Sequence, residues 1–201
     1  MPQGLFIVLD GPDGCGKSTQ AALLVDRLKA AGRTVVHLRE PGGTPAGEKI
    51  RGILLDPAVT LGTAAETFLF MAARAELAPV IRDAVGRGGD VVCERWISST
   101  IAYQGVAGGF GAENVAALGK HAIGALTPAI LILLDLPPEE GLARVRRGLD
   151  RMEQKGIAYH RKVREGYLEA RSMFPRAALV DASRQPDQVA AEIGSLVEAL
   201  L

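Results

Sequence analysis

The chain has little cysteine, one asparagine and no excess of charge of either sign, and each shortage closes a class of function. Two cysteines in 201 residues, Cys15 in a glycine-rich stretch and Cys93 at the end of an apolar run, are too few and too widely spaced for a disulfide framework or a thiolate metal site. Both read as small packing residues with reduced thiols. Twenty-three Lys and Arg are balanced by 23 Asp and Glu, which removes any general attraction for nucleic acid or anionic membrane and confines basic function to a local patch. No stretch reaches the roughly 18 apolar residues of a membrane-spanning helix. The opening Met-Pro-Gln-Gly carries neither a charged segment nor a long apolar one, so the sequence predicts a soluble, cytoplasmic protein. Asn114, the only asparagine, is followed by Val115 and Ala116, which excludes the Asn-Lys-x-Asp motif of guanine-specific switches. Pro/Ser linkers and repeats of roughly 20 to 50 residues are also missing, leaving a single domain over 1–201 as the expected organisation.

What is present is apolar sequence, 48% of the chain, delivered in short runs. Five of them, Leu5 to Leu9, Thr34 to Leu38, Val91 to Cys93, Ala129 to Leu136 and Ala177 to Val180, alternate with longer stretches of helical period. That alternation predicts an α/β fold, a five-stranded parallel sheet with helices on both faces. Helices are expected at Lys17 to Ala31, Pro45 to Leu55, Ala64 to Gly86, Ala112 to Gly124, Pro138 to Arg147, Ala158 to Phe174 and Pro186 to Leu201. Ligands of such sheets collect beyond the carboxyl ends of the strands.

The segment just after the first run reads Gly11-Pro12-Asp13-Gly14-Cys15-Gly16-Lys17-Ser18, then Thr19, a full G-x-x-x-x-G-K-[ST] pattern between a strand and a helix. The context aims several backbone N–H groups and a helix N-terminus at one point, where a polyphosphate can sit. Lys17 can reach the terminal phosphates and the Ser18 hydroxyl can hold Mg²⁺. After the second run comes Arg39-Glu40-Pro41-Gly42-Gly43-Thr44-Pro45, then a helix carrying Glu48, Lys49 and Arg51. Taken alone this is a turn as readily as a ligand loop; its place beside the phosphate loop favours contact between Pro41, Gly42 and Arg51 and a second substrate. After the third run stand Glu94 and Arg95. The carboxylate can hold Mg²⁺ directly or through water and the guanidinium can grip a phosphate with two parallel hydrogen bonds, unless the two are a surface ion pair.

Ser98-Ser99-Thr100 and Tyr103-Gln104-Gly105 form a glycine-rich segment able to read a sugar and a base, or to act as a helix cap and flexible turn. Phe68, Phe70 and Arg74 share a helical spacing. Phe68 reads as core, while Phe70 and Arg74, one turn apart, could stack on a base and bond its edge. Residues 144–164 hold eight Lys or Arg, including Arg144, Arg151 and Lys155, against two acids, Asp150 and Glu153. A solvated face and an RNA patch are the competing readings. A lid over 144–157 that closes on ATP fits better, because phosphoryl transfer needs positive charge and the phosphate loop contains no arginine. His37, His121 and His160 show no ligand spacing and no acidic partner, and are assigned to structure or solvent.

Taken in order, the phosphate loop, Arg-Glu-Pro-Gly-Gly-Thr, Glu-Arg-Trp, Ser-Thr-x-x-Tyr-Gln-Gly and Leu-Asp-Arg-Met-Glu closely resemble the bacterial thymidylate kinases, over nearly the whole chain from Phe6 to Ser183. The resemblance implies the three-layer fold of a P-loop kinase with a short lid, the conversion of dTMP to dTDP with ATP and Mg²⁺, and a homodimer. It implies that Asp13 meets the sugar 3′-hydroxyl, that Arg95 holds the dTMP phosphate and that Phe70 stacks on thymine with Arg74 at its carbonyl edge. Tyr103 would crowd the 2′ position, with Ser99, Thr100, Gln104 and Tyr167 around the acceptor and the Asp181 to Ser183 turn beside adenine. Arg151 would be the catalytic arginine of the subgroup that keeps it in the lid. Glu94 stands where many relatives have aspartate, which favours a water-mediated metal contact, and Trp96 where tyrosine or histidine is common. A kinase for another nucleoside monophosphate, a nucleotide-binding switch and an RNA-binding module are the alternatives.

Overall fold

A computed structural model describes residues 4–145 and 151–201. Arg146, Arg147 and Asp150 of the expected lid, and the end of the helix expected to reach Arg147, lie outside the described residues. The chain runs β1 (Phe6–Asp10), α1 (Lys17–Ala30), β2 (Val35–Arg39), α2 (Pro45–Leu55), α3 (Thr63–Gly86), β3 (Asp90–Glu94), α4 (Ile97–Thr100), a π-helical stretch (Ile101–Ala107), α5 (Ala112–Ile123), β4 (Ile130–Asp135), α6 (Pro138–Arg144), a 3-10 turn (Glu153–Lys155), α7 (Ile157–Arg171), β5 (Ala177–Asp181) and α8 (Pro186–Glu198). All five expected strands form, and they pair in parallel in the order β2-β3-β1-β4-β5.

Each strand serves two cores because successive side chains point to opposite faces. Phe6, Val8, Val91, Cys93, Leu131 and Leu133 face Leu77 and Ile81 of α3, Ile97 of α4, Val115 of α5 and Val163 of α7. Ile7, Leu9, Val92, Ile132, Leu134 and Val180 face Leu24 and Leu28 of α1 and Val189, Ile193 and Val197 of α8. Burying each such aliphatic side chain is worth about 1.5–3 kcal/mol, so the sheet is held from both sides. A strand buried on both faces reads as an unbroken apolar run, which is why these strands were legible.

Two expectations change. Residues 98–107, expected as a loop or cap, are helical throughout, in α4 and the π-helical stretch that follows it. Phe68, expected in the core, is 54% exposed with its ring edge-on to Phe110. Among the described residues no helix is long and apolar enough to cross a membrane.

Candidate active site

Strand register sets the site. Leu9 and Arg39 both pair with Glu94, and Asp10 pairs with Leu133, so β1, β2 and β3 end side by side. Beyond these ends lies a cavity of about 750 Å³. The phosphate loop supplies one wall through Asp13, Gly14, Gly16, Lys17, Ser18 and Thr19, while Pro41, Arg51 and Phe70 come from the turn and helices on the side of β2. Glu94, Arg95, Ser99, Thr100, Tyr103 and Gln104 continue the wall, and Arg144 closes it from the end of α6.

Gly16 enters the loop-to-helix junction with φ 91°, a left-handed conformation that suits glycine. Gly14 is packed bare against α6: a Cβ there would stand 1.9 Å from the Gly141 carbonyl oxygen. Lys17 folds over the loop, its Nζ donating to the carbonyls of Gly11 (2.8 Å) and Pro12 (2.9 Å). Cys15 is buried beneath, and burial pushes its thiol up, which keeps it an inert packing group.

Beneath the cavity Asp10 is fully buried and accepts from the Gly11 and Trp96 amides, the Ser98 and Ser99 hydroxyls and the Tyr167 hydroxyl. These donors satisfy a carboxylate that burial would otherwise destabilise. They also fix Ser99 and Tyr167, whose oxygens lie 3.3 and 3.1 Å from Arg95 Nη1. Arg95 has φ 68°, a left-handed backbone that is strained for a residue with a side chain. Its other nitrogen, Nη2, donates to Asp13 Oδ1, and Tyr103 donates to Asp13 Oδ2 at 2.6 Å. Burial alone would raise the Asp13 carboxyl, but the charges of Arg95 and Lys17 and the Tyr103 hydroxyl outweigh it and hold the group at about 2. Arg95 therefore pairs with Asp13, not with neighbouring Glu94. The result is an anionic-to-cationic step inside the cavity, where a phosphate can meet a guanidinium already aimed at it.

Some expected residues lie outside the cavity wall. Arg74 is 1% exposed, with Nε 2.8 Å from Glu40 Oε2, Nη2 3.1 Å from Thr100 Oγ1 and its guanidinium 5.5 Å from the centre of the Trp96 ring. Burial pushes Glu40 up to about 7 against the pull of Arg74, and Glu40 Oε1 is buried without a partner among the described residues. Arg151 donates through Nε to the Leu54 carbonyl at 2.9 Å and through Nη1 to Glu66 Oε1. Gly42 sits against Glu48, while Ser183 donates to Asp181 from its amide (2.9 Å) and hydroxyl (2.6 Å). Of the basic stretch, Arg144, Arg161 and Arg164 also have acidic partners, in Glu140, Glu139 and Asp135. Among the described residues, that pairing offsets part of the local positive charge that RNA binding would use.

Two carboxylate clusters were not anticipated. Glu66, 1% exposed, receives Arg151, Lys155 and Gln104 Nε2 (3.2 Å). It lies one turn before Phe70 and two before Arg74, so extending that helical spacing backward would have found it. His37 Nε2 lies 2.9 Å from Glu94 Oε1, which corrects the expectation that no histidine has an acidic partner. His160 does keep the structural role expected of it, buried with Nε2 3.2 Å from the Glu153 carbonyl.

Ser18 Oγ donates to Glu94 Oε2, placing two oxygen donors together at the loop mouth. These are hard ligands, and among the described residues no group of three or more His, Cys, Asp or Glu could hold a metal. The pair thus fits Mg²⁺, which takes few protein oxygens and shares the rest of its shell between nucleotide phosphates and water.

A family model described as thymidylate kinase matches residues 9–193. The chain is 46% identical over 201 residues to a thymidylate kinase of Deinococcus radiodurans, with 98% of each chain covered. It is 45% identical over 202 residues to that of Caulobacter vibrioides and 47% over 203 residues to that of Pseudomonas fluorescens, covering 98% of this chain and 97% of each relative.

Proposed function

The chain belongs to the thymidylate kinase family, and we propose that its cavity joins ATP to dTMP and transfers the γ-phosphoryl group to the acceptor phosphate, giving ADP and dTDP. The observation that carries this reading is the Arg95–Asp13 pair, which sets a guanidinium able to grip an acceptor phosphate beside the phosphate loop in one cavity. An oxygen of the acceptor phosphate already bears negative charge, so no side chain need serve as nucleophile. Positioning and charge neutralisation then supply most of the rate.

In this reading the loop from Gly11 to Thr19 holds the ATP phosphates and Lys17 leaves its loop carbonyls for their oxygens. Arg95 holds the dTMP phosphate with Ser99 and Tyr167, and Asp13 accepts from the sugar. Phe70 stacks on the base, Thr100 and Gln104 border it, and Arg74 acts from behind Thr100. Ser18 and Glu94 hold Mg²⁺, which when bound neutralises charge on the donor phosphates. Arg144 and the Ser183 turn flank the nucleoside of ATP. Arg151 leaves Glu66 to reach the transferring group as the lid over 144–157 closes. We extend the proposal to a single kinase domain that acts as a homodimer in the cytoplasm.

The test is ADP release from ATP with dTMP, dUMP, dCMP, AMP or thymidine as acceptor. dTMP should be used best. Turnover independent of acceptor, or preference for thymidine or AMP, overturns the assignment.

A further inference from the structure

His37 occupies the middle of β2 and pairs in register with Val92, while Arg39 pairs with Glu94. His37 and Glu94 are therefore diagonal neighbours on one face of the sheet. It is the face on which Val92 packs with Leu24 and Val25 of α1, and the first turn of α1 carries Ser18 to the same spot. The Glu94 carboxylate is divided between them: Oε2 accepts from Ser18 Oγ, and Oε1 lies 2.9 Å from His37 Nε2. A carboxylate offers no proton, so the imidazole carries its hydrogen on Nε2.

Diagonal neighbours stand about 7–8 Å apart at the backbone, a span that long side chains can close. Glutamate reaches both Ser18 and His37; aspartate, one methylene shorter, would fall back from the imidazole. Glutamate also has an additional side-chain torsion to fix, and an unanchored carboxylate would swing away from the phosphate loop. We propose that His37 is a positioning residue for the phosphoryl-transfer centre, anchoring Oε1 of Glu94 so that Oε2 stays beside the Ser18 hydroxyl on the metal side. The glutamate and the histidine form one device, in which the longer acid is held where a shorter one would need no anchor. This inference rests on the reading of Ser18 and Glu94 as the metal side of the site.

The experiment is titration of Mn²⁺ into the enzyme–ADP complex, followed by the electron paramagnetic resonance signal of free Mn²⁺. His37→Ala and His37→Leu should each weaken Mn²⁺ binding about tenfold, the lower end for loss of a group that orients a metal ligand. ADP binding without metal and the KM for dTMP should not change. His37→Gln, whose amide can donate to Oε1, should restore Mn²⁺ affinity close to wild type, and in a Glu94→Asp background His37→Ala should have little further effect. Wild-type Mn²⁺ affinity in His37→Ala, no rescue by His37→Gln, or an equal loss in the Glu94→Asp background overturns the role of His37 alone. Failure of the wild-type ADP complex to bind Mn²⁺ overturns the metal-side reading as well.

Discussion

Arg151 donates to the carboxylate of Glu66, a side chain 1% exposed on α3 that also accepts from Gln104. Arg151 and Lys155 are thus tied to the helix that carries Phe70 and Arg74. Removing one partner of a buried ion pair leaves an uncompensated charge, at a cost of about 3 kcal/mol. Glu66→Ala, which strips both Arg151 and Lys155 of their acid, should lose about that much in urea unfolding at pH 7; Arg151→Ala leaves Lys155 on Glu66 and should lose less, and the double variant should lose less than the sum. Additive losses would show that the two side chains do not depend on each other.

Lys17→Ala and Arg95→Ala should separate donor from acceptor. Among the described residues the Lys17 amine bonds to its own loop, so its loss should lower kcat with the fold intact. Arg95 sits on Asp13, Ser99 and Tyr167, and replacing it should reduce kcat/KM for dTMP by about 10- to 100-fold, the worth of a charged hydrogen bond, while ATP affinity without acceptor is kept. Steady-state kinetics with each substrate varied in turn decides the point.

Asp13 should govern acid stability. Its carboxyl is held at about 2, below the ordinary 3.8, so its stabilising contribution is complete above pH 3.8 and is lost as pH falls through 2. Asp13→Asn should remove about 2 kcal/mol of pH-dependent stability from that window, visible as a flatter acid limb in denaturant midpoints.

Glu40 should act in the opposite sense. Its carboxyl is raised from 4.5 to about 7, so its contribution is complete below pH 4.5 and is lost as pH rises through 7. Over that interval Glu40→Gln should flatten a fall of about 3 kcal/mol, because the amide never ionises. An unchanged slope would mean that Glu40 ionises normally beside Arg74.

Gly14→Ala should destabilise the fold by about 2 kcal/mol or more, since the new methyl group would meet the Gly141 carbonyl and the backbone there has φ 75°. Gly14→Arg, which would install a basic residue in the loop, should fare no better. A thermal melt close to wild type for either variant would show that α6 can retreat.

The inner strands β1, β3 and β4 were legible because a strand buried on both faces writes itself as a short apolar run, and the phosphate loop because its spacing is local. Lys17 and Ser18 could be picked out for the same reason, and Glu94 and Arg95 because they stand at the end of the third apolar run. The helical spacing of Phe70 and Arg74 was equally visible, yet it could not show that Glu40 and Thr100 would enclose the guanidinium of Arg74. Glu66 with Arg151, 85 residues apart, and His37 with Glu94, 57 apart, depend on which elements become neighbours. That is decided by strand order and helix docking, which no local pattern records.

The donors gathered on Asp10 come from residues 11, 96, 98, 99 and 167. A nascent chain therefore carries a complete phosphate loop long before it has an acceptor site, because the last donor, Tyr167, emerges when most of the 201 residues have been made. A truncated chain ending before Tyr167 would therefore carry the loop sequence for the donor without the complete support for Arg95.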